Sequence, residues 1–264
     1  MRWGRYEHIE GELADGVLTL TINRPDRLNA VNRALHRDLS RVFADAGADP
    51  ACEIVVLTGA GRAFSAGGDL EYIAETASDP AAFDESVVEA KRIVFSMLDC
   101  DRPLIGRING HAVGLGATLA LFCDVTFVAE TAKISDPHVR VGLAAGDGGA
   151  VIWPLLIGYP RAKELLMTGR AVTAAEAERL GLINYAVPAE ALDARVQDFI
   201  AELRLGAAAA IRATKLAVNV GLKQLAHSVL ETSAALERLS NRSPEHRQAV
   251  EALLRKETPV FRSI

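Results

Sequence analysis

The stretch that decides the fold reads AGRAFSAGGDL over residues 60–70, and a second stretch, NGHAVGLGAT, follows at residues 109–118. Each comes after a short apolar run that predicts a buried strand, over 54–57 and 104–108, and each leads into a helical pattern. The start of a helix carries backbone N–H groups without partners, and glycine lets the chain turn sharply and a ligand come close. The two loops therefore predict an oxyanion hole, with one N–H from each loop aimed at one carbonyl oxygen. The alternative is a pair of ordinary strand-to-helix turns.

The two loops resemble the two oxyanion segments of the crotonase superfamily, also called the enoyl-CoA hydratase/isomerase family. The matching residues are RAFSAGGDL at 62–70 and NGHAVGLG at 109–116. The likeness begins at LTLTINRP, residues 18–25, and continues through LLMTGR at 165–170 to GLIN at 181–184. It covers nearly the whole chain, and the combination of motifs is specific for the fold and much less specific for the reaction.

The order of the predicted elements indicates an α+β fold with a helical tail. Strand patterns begin with a hairpin over 6–12 and 17–22, and the region after Pro160 reads mostly as helices. The helical patterns there lie at 160–167, 174–180, 189–204, 208–220, 224–239 and 245–255. Strands followed by runs of helices are typical of an α+β domain. The resemblance implies a crotonase-like spiral of ββα turns, residues 1–200, with a C-terminal helical extension of the same unit, residues 201–264.

Two polar side chains are predicted to begin helices. Asn32 precedes apolar residues at helical spacing, and Asp69 stands where the helix after the first loop begins. Such a side chain accepts a hydrogen bond from a free N–H group, a contribution of roughly 0.5–2 kcal/mol. We therefore assign Asp69 a capping role rather than a catalytic one.

Composition limits the classes of protein that the chain can belong to. It has 264 residues, half of them hydrophobic, and a net charge of −5 at pH 7. Its scattered basic residues indicate neither a nucleic-acid surface nor a polybasic membrane patch. Its three cysteines have unrelated spacings, which favours reduced thiols over disulfides or a zinc site. Because no stretch reads as a signal peptide or a membrane span, we expect a cytoplasmic protein.

The resemblance implies an enzyme that acts on a coenzyme A thioester. The family's hole donors match the N–H groups of Gly68 and Leu115, which would stabilise the charge on the thioester oxygen as an enolate forms. The expected activity is hydration or isomerisation of an enoyl-CoA in fatty acid metabolism, a lyase or isomerase reaction. We expect no cofactor beyond the CoA of the substrate. The scattered histidines and glycines indicate neither a metal site nor a dinucleotide-binding fingerprint.

The resemblance also implies where CoA and neighbouring subunits would bind. Positions that match the family's CoA and acyl contacts are Arg27, Leu28, Ala66, Gly67 and Leu70. The helical tail implies a homotrimer or a dimer of trimers, in which Phe261 and Arg262 complete the CoA pocket of a neighbouring subunit.

The acid/base residues depart from the family pattern. Thr118 and His138 occupy the positions of the two glutamates of the standard hydratases, and a threonine cannot act as a base without one beside it. Asp147, in AAGDGG at residues 144–149, serves either as a general acid/base or as the cap of the next helix. His138 either exchanges a proton near neutral pH or is a hydrogen-bonded structural histidine.

The absence of both glutamates leaves three functions open. The first is acid/base chemistry on an acyl-CoA through Asp147 and His138. The second is that of a decarboxylase, a hydrolase or a retro-aldol enzyme of the same superfamily. The third is a protein that binds acyl-CoA without turning it over. We assign His111, Asp136 and Trp153 structural roles, in packing, in a turn and in the core.

Overall fold

The computed structural model describes residues 2–261, except for the side chain of Arg2. Within this range the strands are β1 (Ile9–Ala14), β2 (Val17–Ile22), β3 (Ile54–Gly59), β4 (Leu104–Ile108), β5 (Ala112–Val113), β6 (Val125–Ala129), β7 (Lys133–Ser135), β8 (Val172–Thr173) and β9 (Tyr185–Val187). The α-helices are α1 (Arg33–Ala48), α2 (Leu70–Ser78), α3 (Pro80–Asp99), α4 (Leu115–Leu121), α5 (Gly149–Ile157), α6 (Tyr159–Thr168), α7 (Ala174–Leu180), α8 (Leu192–Leu203), α9 (Ala208–Asn241) and α10 (Pro244–Leu254).

The larger of two sheets sets the position of both glycine loops. Its strand order is β1-β2-β3-β4-β6-β9, in which β1 and β2 form an antiparallel hairpin and every later pair is parallel. A three-stranded sheet of β5, β7 and β8 lies apart from it. The carboxyl ends of neighbouring parallel strands lie at the same edge of a sheet. The loops that follow β3 and β4 therefore start side by side.

The central strand β3 is buried on both faces, which explains its continuous apolar sequence. Val55 and Leu57 pack into the main core with residues of α1 and α3. Ile54 and Val56 alternate with them and pack into a second apolar cluster that includes residues of α8. A strand with helices over both faces offers no polar side to solvent, so the run 54–57 contains no polar residue.

The two capping predictions are confirmed. Asn32 Oδ1 accepts a hydrogen bond from the Leu35 N–H at 2.9 Å at the start of α1. Asp69 Oδ1 accepts one from the Glu71 N–H at 3.1 Å at the start of α2. Arg24 Nη1 also donates to Asp69 Oδ2 at 3.0 Å. Asp69 therefore ties the first glycine loop to the turn before α1.

The C-terminal helices differ from the sequence prediction at one point. The patterns at 208–220 and 224–239 belong to one helix, α9, which runs through Gly221 without a break. A glycine inside a helix costs about 1 kcal/mol relative to alanine, which is too little to end a helix that packs along its length. The prediction of two helices was wrong because it gave this local signal more weight than the contacts of α9 with α3 and α5.

Within the described residues, no single helix is long and apolar enough to cross a membrane. One bent pair, Ala189–Leu203 with Ala208–Asn241, meets the length and composition criteria only when its two arms are taken together across a bend of 105°.

Candidate functional site

The first glycine loop leaves one backbone donor free. The Val31 N–H donates to Gly67 O at 2.7 Å, and Val31 O accepts from the Asp69 N–H at 3.0 Å. These two bonds flank Gly68, whose own N–H has no acceptor within residues 2–261. Gly67 has a φ of +84°, a conformation that favours glycine. The sharp turn at Gly67 therefore presents the N–H of Gly68.

The second loop presents a matching donor. Gly114, with a φ of +54°, donates its N–H to Ser135 O at 2.9 Å and directly precedes α4. Leu115 is the first residue of that helix, where an N–H has no partner in its own helix, and it finds no other acceptor in the described chain. The two predicted hole donors are thus both unpaired.

Close backbone contacts hold the two loops together. The Val113 N–H donates to Ser65 O at 3.0 Å. A Cβ at Gly67 would lie 2.8 Å from Val113 O, and one at Gly116 would lie 2.7 Å from Ser65 Cβ. Side chains at either position would force the loops apart, so these glycines are needed for the approach of one loop to the other.

Both donors border a cavity of about 320 Å³. Its lining includes seven predicted site residues: Ala66, Gly67, Gly68, Leu70, Leu115, His138 and Asp147. The remaining predicted contacts do not border it. Arg27 Nη2 lies 3.9 Å from Glu71 Oε1 at the surface, Leu28 forms the turn before α1, and Phe261 is exposed near the end of the described chain. Arg262 lies outside the described residues.

His138 sits between two carboxylates at the cavity. Its Nδ1 forms a short hydrogen bond with Asp136 Oδ1, and its Nε2 lies 3.5 Å from Asp147 Oδ2. Burial alone would lower the pKa of His138, but the charges of Asp136 and Asp147 outweigh it and raise the pKa well above the ordinary value. The side chain is therefore an imidazolium at neutral pH, and Asp136 fixes its orientation as well as serving the predicted turn.

Asp147 is a buried carboxylate rather than a helix cap. The N-cap of α5 is Gly148, which has no side chain, so the capping alternative for Asp147 is wrong. Asp147 Oδ1 instead accepts a hydrogen bond from Thr118 Oγ1 at 3.2 Å. Burial raises the pKa of Asp147, and the imidazolium of His138 opposes that rise. The threonine at the first glutamate position thus positions a carboxylate supplied by another loop.

Glu237, on α9, also borders the cavity, and sequence analysis missed it. Its side chain is buried, and neither carboxylate oxygen has a hydrogen-bond partner in the part of the chain that the structure describes. Burial raises its pKa to about 8, against the opposing charge of His138. Glu237 is therefore a neutral acid at pH 7. It is one of many glutamates on amphipathic helices, and no local pattern distinguishes it.

The helix that carries Glu237 also holds the loop that carries Asp147. Ser233 Oγ donates to Gly146 O at 3.3 Å, and the Ala144 N–H donates to Ser240 Oγ at 3.0 Å. These serines lie four residues before and three residues after Glu237, on the same face of α9. The helical extension is thus part of the candidate site.

Of two further residues with predicted structural roles, Trp153 lies in the core as predicted, whereas His111 is exposed and makes a hydrogen bond instead of packing in the interior. His111 Nδ1 accepts a hydrogen bond from the Lys133 N–H at 3.0 Å, and Trp153 is fully buried in the main core.

Asp136, His138 and Asp147 place one ligand atom each within 4.8 Å of one another, a spacing that a metal ion also requires. Because both imidazole nitrogens of His138 face carboxylates, the cluster fits a hydrogen-bond network centred on the histidine better than a metal site.

The sequence matches the family model for enoyl-CoA hydratase/isomerase over residues 12–263. It is 32% identical to a probable enoyl-CoA hydratase of Rhodobacter capsulatus, over 97% of this chain and 98% of the relative. The crystal structure of an enoyl-CoA hydratase/isomerase from Mycobacterium paratuberculosis is similar with a TM-score of 0.89 and 35% identity, over 92% of this chain and 97% of that one. A β-diketone hydrolase from the cyanobacterium Anabaena, bound to (S)-3-oxocyclohexyl acetic acid, is similar with a TM-score of 0.85 and 26% identity. The match covers 91% of this chain and 96% of the hydrolase chain. These similarities confirm the crotonase-type fold, and the chain belongs to the enoyl-CoA hydratase/isomerase family.

Proposed function

We propose that the protein is an enzyme that converts an acyl-CoA thioester through an enolate held in the Gly68–Leu115 hole. The observation that carries the proposal is that two unpaired N–H groups and the His138–Asp147 pair border one cavity. Each donor to a developing oxyanion contributes roughly 2.7–4 kcal/mol to catalysis. Hydration or isomerisation of an enoyl-CoA, a lyase or isomerase reaction, is the favoured activity.

Proton transfer in this proposal uses residues other than the standard glutamates. Asp147 is the base, because burial raises its pKa, which makes its carboxylate a better proton acceptor, while the neighbouring charge of His138 favours the ionised form. It takes a proton from the α-carbon for isomerisation, or from a water for hydration. Glu237, which is protonated at neutral pH, returns a proton to carbon. His138 stabilises the Asp147 carboxylate and is itself held by Asp136.

The remaining features of the proposal come from the family alone. CoA enters as part of the substrate, with Arg27, Leu28 and Phe261 among its contacts, and no other cofactor is needed. The protein acts in the cytoplasm as a homotrimer or a dimer of trimers. An acid/base cluster inside the cavity disfavours the alternative of a protein that binds acyl-CoA without turnover, because binding alone does not require buried titratable groups.

Hydrogen exchange at the substrate α-carbon tests the proposal. The protein is incubated in D₂O with a panel of saturated and unsaturated acyl-CoAs, and the thioesters are analysed by mass spectrometry. We expect deuterium incorporation, or a mass gain of one water, with at least one member of the panel. A thioester that binds tightly while no member of the panel exchanges or reacts would instead support the binding-protein alternative.

A second candidate is hydrolysis of a carbon–carbon bond between two carbonyl groups. The His138 imidazolium favours it, since a protonated group beside the cavity can deliver a proton to a carbanion leaving group. Water would add to the carbonyl in the hole, the bond to the α-carbon would break, and the α-carbon would take up the proton as a carboxylic acid forms. The β-diketone hydrolase of Anabaena is a structural relative with this named activity. Release of acid from cyclic and linear β-diketones, followed by titration, distinguishes this activity from thioester chemistry.

A further inference from the structure

A second histidine, paired with a buried glutamate, also borders this cavity. His36, on α1, is 5% exposed, and its Nδ1 lies 2.7 Å from Glu89 Oε2 on α3. The Glu89 side chain is buried as well, and Arg37 Nε approaches its other oxygen only to 3.9 Å. Burying two polar groups costs desolvation that their own contact barely offsets, so this contact is weak evidence for a role in stability.

The geometry of this pair leaves one histidine nitrogen for a ligand. The Nδ1–H of His36 faces Glu89, which fixes the orientation of the ring. Its Nε2 has no hydrogen-bond partner within residues 2–261, and this atom is not completely buried. His36 also belongs to the cavity lining. The free nitrogen therefore faces the cavity that Gly68 and Asp147 also border.

Tyr72 adds a second polar atom beside His36. The two rings have centroids 5.9 Å apart, and both residues border the cavity, while Tyr72 also borders a second cavity that Arg33 and Glu75 line. No described residue pairs with the Tyr72 hydroxyl. Burial and the charge of Glu89 raise the pKa of Tyr72 to about 12, so the hydroxyl keeps its proton and remains a hydrogen-bond donor.

The surrounding lining from α2 and α3 is mainly carbon, including Ile73, Phe83 and Val87. A purely hydrocarbon acyl chain would cover the His36 nitrogen and the Tyr72 hydroxyl without giving either a partner. Each polar atom left in that condition weakens binding, because its hydrogen bond to water is lost and not replaced. The cavity is also small, at the low end of the range for ligand pockets, which favours a compact acyl group over a long one.

We propose that the acyl group of the substrate carries an oxygen substituent beyond the reacting carbons, bound by His36 Nε2 and the Tyr72 hydroxyl. A hydroxyl donates to a neutral Nε2 and accepts from Tyr72, whereas a carbonyl accepts from Tyr72 and from a protonated Nε2. The proposal rests on the function proposed above, because it describes the substrate of the same cavity.

The test compares short acyl-CoAs of equal chain length that end in a methyl group, carry a hydroxyl, or carry a ketone beyond C3. Dissociation constants of the saturated thioesters are measured by calorimetry, together with α-proton exchange. We expect the wild type to bind an oxygenated thioester about tenfold more tightly than the methyl one. The hydroxyl and ketone members of the panel show which form of the oxygen is preferred.

Two variants and one control connect this preference to the residues. His36→Leu should reduce the preference for the oxygenated thioester to below about threefold. Tyr72→Phe, which keeps the ring and removes only the hydroxyl, should also reduce this preference. His227→Leu, at an exposed histidine whose ring centroid lies 4.3 Å from that of Phe95 and which does not line the cavity, should keep the full preference.

Equal binding of all three thioesters by the wild type, or a preference that survives both cavity variants, would overturn the inference. Because binding is measured directly, a protein that shows this preference but no exchange would refute the enolate chemistry and leave the oxygen site standing. Exchange on the methyl thioester, with equal binding of all three thioesters, would refute the oxygen site and support the enolate chemistry.

Discussion

At the scale of single residues, the candidate site is a set of titratable side chains whose pKa values are shifted by burial and by the charges of their neighbours. Asp147 is held by the hydroxyl of Thr118 at 3.2 Å and lies 3.5 Å from the Nε2 of His138. Neither neighbour can replace it as a base, because a threonine hydroxyl is too weakly basic and the charges of Asp136 and Asp147 favour the protonated form of the histidine. Removal of a proton from the substrate or from water therefore depends on one carboxylate.

Asp147→Asn should abolish most of the proposed chemistry without unfolding the protein. The amide keeps the shape and can still accept from Thr118, but it cannot take a proton, so α-proton exchange should fall by about 10²–10⁴-fold. Thr118→Val is the matched comparison, since it removes only the hydrogen bond to Asp147, and we expect a smaller loss of about tenfold. Exchange rates by mass spectrometry and melting by circular dichroism are the two measurements. An Asp147→Asn rate equal to the wild-type rate would exclude this residue as the base.

Glu237 should make the folded protein less stable as the pH rises towards 8. In the folded state its pKa is about 8, whereas an unperturbed glutamate has a value near 4.5. Between these values the folded protein holds a proton that the unfolded chain releases, so the free energy of unfolding falls with rising pH. The groups that act on Glu237 from the packed elements are His138, Asp147 and Asp136.

Glu237→Gln should remove that contribution, so the stability of the variant relative to wild type should rise between pH 6 and pH 8.5. Urea denaturation at both pH values measures it. Glu251→Gln on α10 is the control, because it removes the same charge from an exposed position. Equal pH dependence in wild type and Glu237→Gln would mean that Glu237 is ionised in the folded state.

At the scale of elements, the hole exists because two strand-to-helix loops touch. Gly67 is needed twice there, once for its positive φ and once because a Cβ would lie 2.8 Å from Val113 O on the other loop. Gly61 shares the positive φ, but a Cβ there would meet only Pro25 Cβ at 3.2 Å. Comparing substitutions at Gly67 and Gly61 therefore separates the effect of backbone strain from the effect of the contact between the loops.

Gly67→Ala should displace one hole donor from the other and lower α-proton exchange by at least about 10²-fold, the loss typical of one missing oxyanion donor. Gly61→Ala bears the same kind of backbone strain, about 1–2 kcal/mol, without moving the second loop. It should lower the melting temperature while leaving much of the exchange rate. Similar exchange rates in the two variants would show that the contact between Gly67 and Val113 does not position the hole.

At the scale of the whole molecule, the parts of the fold that sequence could predict are those with local causes. The caps at Asn32 and Asp69, the apolar strand β3 and the glycine loops each follow from a few neighbouring residues. Glu237 could not be found in this way, because it faces Asp147 across ninety residues of chain. The false break at Gly221 has the same origin, since the packing that keeps α9 continuous comes from distant helices.

The predicted oligomer is the remaining property of the whole molecule. Large apolar side chains are exposed on α5 and α6, among them Leu155, Leu156, Tyr159 and Met167, and the last two are 63% and 72% exposed. Large apolar side chains exposed on two consecutive helices favour an interface between subunits. We therefore expect light scattering to give three or six times the 28.2 kDa of one chain.

A double change of Tyr159 and Met167 to glutamate should lower the mass to that of a single chain, because two charges would have to be buried at the contact without partners. Val88→Glu is the control, since Val88 is 48% exposed and lies on α3, outside α5, α6 and the helical tail. A wild-type mass of 28.2 kDa that persists at high protein concentration would contradict the trimer. It would also require each chain to complete its CoA pocket without a residue from a neighbour.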